Sequence, residues 1–409
     1  MSSAETAYLF RHAVLRDAAY QLQTPSARTR LHGFAADLVA ALPGARGALA
    51  QEVALHLRLA GAHPDRESEY SRLAAEYAES RHEYRTAITF WVRAAELSPD
   101  NDAELLRSAG RAAVQCSHPQ AEELVERCLK QASAKGNELI EGLACSSMGN
   151  LLQQTGRVEQ AIVYHQKSLE LFRRLGNRKG EGTELGNIGN LWFRLGRLED
   201  AVVAHQHALT IHREIGNALG VGVTLSNLAG VYQHMERFNE AEETFREGLT
   251  VLQSIGDARS LGITLANYGN LLAAQDRYEE ALKALSAALP LVRETGNRRF
   301  EGNVLGSLGA LLQLMRGPGD AIELLEQAVA IHAEVRNINQ LAYHGVTLAC
   351  ALVQVGKRER AQRHYRNAMA HAAALLPAEE IQDFEKQMHE ACAAAGIAPL
   401  DAAQQGKTA

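Results

Sequence analysis

Asn187, Asn227 and Asn267 stand 40 residues apart within stretches whose other residues favour helix. Asn is a costly choice inside a helix because its amide competes for backbone partners, so its return at a fixed interval points to use. A primary amide donates and accepts at once, and a column of amides can pair with the backbone of an extended peptide whatever its side chains. The plainer alternative is that these amides cap turns or face water. His205, His207 and His212 have the composition of a metal cluster, but positions 205 and 207 point to different sides of a helix. His165 stands in no Ser/His/Asp or Cys/His motif, and the sequence contains no G-x-x-x-x-G-K-[ST] loop. The chemistry these residues offer is binding, with no catalysis, metal or cofactor expected.

Elements that could position such amides are helices. The chain has 409 residues, longer than one core usually organises, and its wealth of Ala, Leu, Glu, Arg and Gln with only nine prolines predicts an all-α protein. A formal net charge of −6 with both signs interspersed leaves no basic stripe for phosphates, so nucleic acid is not an expected partner. Five cysteines, Cys116, Cys128, Cys145, Cys350 and Cys392, lack CxxC spacing and read as reduced, packed thiols. Nowhere do about 18 apolar residues run together, and the first residues lack a basic region followed by an apolar one. The expectation is a cytoplasmic location without a membrane segment.

Shifted by 40 residues, the chain aligns Ala121, Ala161, Ala201, Ala241, Ala281, Ala321 and Ala361. Twelve residues before each stands a small residue: Ala109, Gly149, Gly189, Ala229, Gly269, Gly309 and Ala349. Four residues after most of them stands a larger one, as at His165, His205, Phe245, Leu285, Leu325 and Tyr365, on the same helical face. Turns such as Thr155-Gly156-Arg157 and Leu195-Gly196-Arg197 separate the helices, and a second set such as Leu175-Gly176-Asn177 and Ile215-Gly216-Asn217 closes each unit. Arg316-Gly317-Pro318-Gly319 replaces the usual turn in one unit.

This pattern resembles the tetratricopeptide (TPR) repeat, with a small residue at position 8, Ala at 20, a bulky residue at 24 and a small one at 27. Ala75, Ala87, Trp91, Ala94 and Pro99 fill positions 8, 20, 24, 27 and 32 of a first repeat of standard 34-residue length, and the following steps are 40 residues. The longer repeats are similar to those of Leu-Gly-Asn repeat scaffolds and kinesin light chains. The resemblance implies a right-handed superhelix of about eight helix-turn-helix repeats with a helical N-terminal cap. The expected divisions are a cap over 1–62, a first repeat over 63–101, the long-repeat array over 102–375, a capping helix over 376–397 and a disordered tail over 398–409. Trp192 and Tyr232 fall at a usual aromatic core position.

In such an array the concave groove is lined by first helices. The positions that face it hold Asn150, Gln154, Asn187, Asn190, Arg194, Asn227, His234, Asn267, Asn270 and Asn303, with Gln153, Phe193, Gln233 and Gln313 beside them. These are the candidate partner-binding residues. Positions 2 and 5, where clamps for C-terminal carboxylates carry lysine, hold Leu143 and Ser146, Thr183 and Gly186, Val223 and Ser226, and Ile263 and Ala266, so that ligand is not expected.

A second resemblance lies earlier. The string Phe10-Arg11-His12-Ala13-Val14-Leu15-Arg16-Asp17-Ala18-Ala19-Tyr20, with Arg28-Thr29-Arg30-Leu31-His32 and Glu52-Val53-Ala54-Leu55-His56, is similar to the segment after the nucleotidase module of bacterial signal-transduction ATPases. In that family it leads into a TPR sensor array. The expected function is therefore a scaffold that binds a protein or peptide in the amide groove. The alternative is the sensor arm of a signalling ATPase without its catalytic core, and a third expectation is self-association through the ends of the array.

Overall fold

The computed structural model describes residues 20–98 and 102–400. Most of the string Phe10–Tyr20, Pro99 and the expected tail from residue 401 lie outside the described residues. Nineteen helices and no strand occur among the described residues. They divide into two compact units, Met1–Leu191 and Trp192–Ala409.

The first unit holds α1 (Pro25–Ala40), α2 (Ala50–Ala60), α3 (Pro64–Ser80), α4 (Tyr84–Leu97), α5 (Asp102–Gln115), α6 (Ala121–Ala134), α7 (Glu138–Gln154), α8 (Val158–Arg174) and α9 (Arg178–Arg194) up to Leu191. The second holds α10 (Leu198–Glu214), α11 (Ala218–His234), α12 (Phe238–Ile255), α13 (Ala258–Ala274), α14 (Tyr278–Glu294), α15 (Arg298–Arg316), α16 (Pro318–Glu334), α17 (Ile338–Gln354), α18 (Arg358–Leu375) and α19 (Ala378–Ala394). In the first unit α3 to α8 form three pairs and in the second α11 to α18 form four, each a first and a second helix. The helices α4, α5 and α6 have 14 residues and most later ones 17, so the extra residues of the long repeat are added chiefly as helix.

Packing within a pair explains the alternation of small and large residues. A Cβ on Gly149 would stand 2.5 Å from His165 Nε2, and one on Gly269 would stand 2.8 Å from Leu285 Cγ. Gly309 meets Leu325 Cγ at 2.7 Å in the same way. The small residue at position 8 is therefore the space into which position 24 of the same repeat is pressed, and both ends of each contact are deeply buried.

The turns are made by two devices. Gly156 stands at φ +80° and Gly176 at +65°, in the left-handed region where a glycine costs least; Glu236, Asp276 and Arg336 take the same conformation without being glycine. The Asn or Asp that follows the second turn works differently from the left-handed role its Gly-Asn sequence suggests. Asn137, Asn217, Asp257 and Asn297 have negative φ and accept a hydrogen bond from the backbone N–H three residues on, so they are helix N-caps. Such a cap contributes about 1 kcal/mol. At Arg316-Gly317-Pro318, α15 runs to 19 residues and Gly317 ends it and begins α16 at once, with Pro318 in the first turn.

First helices of successive repeats pack against one another: α5 on α7 in the first unit, and α11 on α13, α13 on α15 and α15 on α17 in the second. The second unit thus has a continuous face built from first helices, and in the first unit α5 and α7 share one.

Candidate functional site

In the second unit, residues 227, 230 and 234 of α11 lie at i, i+3 and i+7, one stripe along the helix. The neighbouring Leu228, Ala229 and Tyr232 are buried and anchor the helix. Asn227 is held half-buried at the rim of that core, and the exposed His234 meets the edge of Phe193 with ring centroids 4.7 Å apart at 79°. On α13, Asn267 is half-buried and Asn270 exposed. None of Asn227, Asn267 and Asn270 makes a side-chain hydrogen bond within the described residues. Asn270 lines a cavity of about 390 Å³ with Ala273, Ser307, Ala310, Leu314 and Tyr343, so polar and apolar contacts are offered side by side.

Asn303 stands apart. Its Oδ1 accepts from Asn337 Nδ2 at 3.4 Å, and the same Asn337 amide lies 3.4 Å from His332 Nδ1, so Asn303 is tied into the packing of α15 against the start of α17. Gln313 is similarly engaged, donating to Gln354 at 3.4 Å. Arg194 is exposed and already engaged by another group.

In the first unit, Asn150 on α7 and Asn187 and Asn190 on α9 are half-buried, and Gln154 is exposed. All four side chains lack a hydrogen-bond partner among the described residues. A cavity of about 240 Å³ opens beside them, lined by Leu143, Ser146, Phe172, Thr183 and Glu184. The amides at positions 6 and 9 are thus half-buried or exposed and unmatched in both units. A donor-acceptor pair poised in this way loses little water on binding and gains two hydrogen bonds to a peptide backbone.

Sequence reasoning left out two features. The first-helix face of the first two repeats carries charge instead of amide: Arg72, Glu76, Glu79, Arg107 and Arg111 line a cavity of about 580 Å³ on α3 and α5. Glu79 accepts from Trp91 Nε1 at 3.0 Å and from Arg111 at 2.6 Å, and Arg72 meets Glu76 at 2.5 Å. Part of the signal was available, since Arg107 and Glu76 occupy positions 6 and 9, which hold amides later. The other omission is the partnering of buried histidines. His165 Nδ1 lies 2.6 Å from Glu184 Oε2 with both side chains buried, while His205 is fully buried with neither ring nitrogen bonded. Burial pulls the His205 pKa down to about 4, so its ring is neutral. His332 Nε2 and His344 Nδ1 lie 3.0 Å apart in a stacked pair, and burial lowers them to about 4 and about 3.

His205 fills the packing position and His207 is exposed on another side of α10. No group of three or more His, Cys, Asp or Glu with metal-binding geometry occurs among the described residues. Tyr232 is buried and Trp192 half-buried, each with an arginine of the following turn over its ring: Arg237 at 4.6 Å and Arg197 at 5.3 Å. Burial pushes the Cys128 and Cys350 thiols up to about 12 and Cys145 to about 11, which makes them poor nucleophiles. No described helix is long and apolar enough to cross a membrane.

Residues 183–254 and 260–334 match one family model of the tetratricopeptide repeat, and residues 144–179 match another. These stretches are tetratricopeptide repeats. Together with the paired helices, they make the fold an all-helical TPR solenoid. No curated protein matches the sequence. Among solved structures, the chain is similar to a signal transduction ATPase with numerous domains from Pyrococcus horikoshii that has a TPR sensor, with 16% identity and a TM-score of 0.56 over 83% of this chain and 55% of that one. The chain therefore spans about half the length of that ATPase. It is also similar to the anaphase-promoting-complex tetramer Cut9–Hcn1, with 14% identity and a TM-score of 0.54 over 87% of this chain and 66% of the other. A Rap protein complexed with Competence and Sporulation Factor gives 12% identity and a TM-score of 0.52 over 80% of this chain and 99% of its own. At these identities the likeness is one of fold.

Proposed function

We propose that the TPR array is a protein-interaction module in which the first-helix face of each unit binds extended peptide of a partner, through Asn150, Asn187 and Asn190 in the first and Asn227, Asn267 and Asn270 in the second. The observation that carries this reading is the recurrence of an amide at position 6 of three repeats, half-buried each time and each time without a hydrogen-bond partner in the fold. A residue that disfavours helix and makes no internal bond contributes nothing to folding. A peptide backbone supplies the complementary donors and acceptors, and the fold is shared with a Rap protein whose structure is a complex with Competence and Sporulation Factor. Gln154 and His234 extend the same faces, while Arg194 and Asn303 contribute at their edges with part of their bonding capacity already used.

The test is capture from a lysate of the source cell by the wild type beside Asn187→Ala/Asn227→Ala/Asn267→Ala, with retained proteins identified by mass spectrometry and helicity compared by circular dichroism. A partner kept by the wild type and lost by an equally helical variant supports the reading. Identical retention by both proteins removes the amides from the interface.

A second reading is favoured by a separate observation, the string Phe10–Tyr20, together with the fold shared with the TPR-sensor ATPase. On that reading the array is the sensor arm of a bacterial signalling ATPase in the cytoplasm, and residues 1–62 are its connection to the catalytic core. A nucleotidase domain encoded upstream in the same reading frame would support it, and a stop codon immediately upstream would oppose it.

A further inference from the structure

The helix α1 is apolar on two opposite sides. Its inner side packs Ala36, with Val39 and Ala40, against Ala50, Val53, Ala54 and Leu57 of α2. Its outer side carries Leu31 at 51% exposure, Phe34 at 67% and Leu38 at 70%, continued by Leu42 at 51% beyond the helix end. A surface helix keeps one stripe apolar and the rest polar; one that is apolar on both sides is built to be covered on both. No described residue covers the outer side.

The spacing of that ridge is specific. Ala27, Leu31, Phe34, Leu38 and Ala41 follow intervals of four, three, four and three residues, the a/d seam of a helix that lies along another helix. At about 1.5 Å per residue the seam runs for roughly 20 Å. Leu55 and Leu59 of α2 add two further exposed leucines in this part of the fold. A patch of this kind exceeds the scattered single apolar residues of an ordinary surface.

The charges beside the seam select the occupant. Arg30 and Asp37, both exposed, lie seven residues apart on the same flank of α1, one cation and one anion. A second copy of α1 laid antiparallel, with a two-fold axis crossing between these residues, sets Arg30 of each copy beside Asp37 of the other. A parallel copy sets Arg30 and Asp37 beside Ala35 and Leu42 of its partner, with no ion pair gained. Asp37 also meets Arg66 at 3.0 Å with both groups largely exposed, which leaves the carboxylate open to a second donor. A surface that complements itself under a two-fold operation is what an isologous dimer requires.

We infer that the outer face of α1 is a homodimer interface, in which two chains pair through antiparallel α1 helices around Leu31, Phe34 and Leu38. This interface is separate from the amide faces and does not depend on their function. Burial of the seam against its copy falls near the small end of stable interfaces, for which about 800 Å² per partner is typical, so the dimer dissociates on dilution.

Sedimentation equilibrium of the full chain over a wide concentration range tests this. The wild type is expected to rise from 44.5 kDa towards twice that mass. Phe34→Glu, at a site already exposed, is expected to stay at the monomer mass with unchanged helicity. Arg30→Asp weakens association by about tenfold or more, which is about 1.4 kcal/mol, and Arg30→Asp/Asp37→Arg restores it because the swapped pair is again complementary. A wild type that stays monomeric at every concentration overturns the inference and gives the ridge to a different chain. A Phe34→Glu dimer as strong as the wild type overturns it by placing self-association elsewhere. A double variant no stronger than Arg30→Asp alone overturns the antiparallel arrangement.

Discussion

The first two repeats, whose first helices are α3 and α5, and the repeats that follow them treat polar groups in opposite ways. On α3 and α5 the first-helix face is charged, and much of that charge is consumed internally: Glu79 alone holds Trp91 and Arg111. α7, α9, α11 and α13 instead carry Asn150, Asn187, Asn190, Asn227, Asn267 and Asn270, whose amides bond to no other described residue. A second contrast lies inside the long repeats themselves. His165 rests against Glu184, whereas His205, at the equivalent place 40 residues later, has no partner for either nitrogen. A polar group that is met stabilises its own fold; one left unmet costs stability or waits for something else. The difference between the two kinds of repeat is therefore a difference in what each has left to offer.

The largest expected effect comes from acid. His205, His332 and His344 have folded pKa values of about 4, about 4 and about 3, below the ordinary 6.5, because burial disfavours their charged forms. Between those values the unfolded chain binds more protons than the folded one, so stability is full above pH 6.5 and falls as the pH drops towards 4. Each pKa unit of difference is about 1.4 kcal/mol per histidine, and the three together amount to several. Urea unfolding at a series of pH values, followed by hydrogen exchange resolved along the sequence, checks this. Loss of protection in residues 192–409 ahead of residues 64–134 sharpens the contrast, and simultaneous loss erases it.

Glu79→Ala comes next, with an expected loss of about 2 kcal/mol, because it strands the indole N–H of Trp91 and the guanidinium of Arg111 together. His205→Leu goes the other way. Leucine already fills this position at Leu285 and Leu325, and removing two unmet nitrogens is expected to stabilise by about 1 kcal/mol in urea unfolding at neutral pH. It should also flatten the acid profile. The smallest effect is that of Asn227→Ala/Asn267→Ala, expected to raise stability by about 0.5 kcal/mol per site, since alanine is the better helix former and no hydrogen bond is lost. A clear fall in melting temperature for this variant would mean the amides serve the fold after all.

Much of the architecture was legible in the chain itself. Alanines recurring every 40 residues, with a small residue twelve before and a large one four after, define which faces meet, because steric keys of this kind depend only on local spacing. The half-buried placement of Asn187, Asn227 and Asn267 was legible for the same reason: helical phase sets position 6 at the rim of the core. Other assignments depended on partners distant in sequence. Asn303 carries the same residue type, yet the amide of Asn337, 34 residues on, claims it. His165 and His205 occupy one repeat position, and only the carboxylate of Glu184 distinguishes them. The ridge on α1 was written in Leu31, Phe34 and Leu38, but a helix apolar on two sides reads as a buried one until its neighbours are known.

The contact between Gly269 and Leu285, like that between Gly309 and Leu325, begins and ends inside a single repeat, and so do the helix caps at Asn217 and Asn297. Nothing in such a key refers to how many repeats precede or follow it. A gene coding for this array can duplicate or delete one whole period and still give well-packed helices, whereas a shift by any other length misplaces every small residue downstream. Each duplicated period also brings its own amide, so a longer protein of this design gains recognition capacity in the same step by which it gains length.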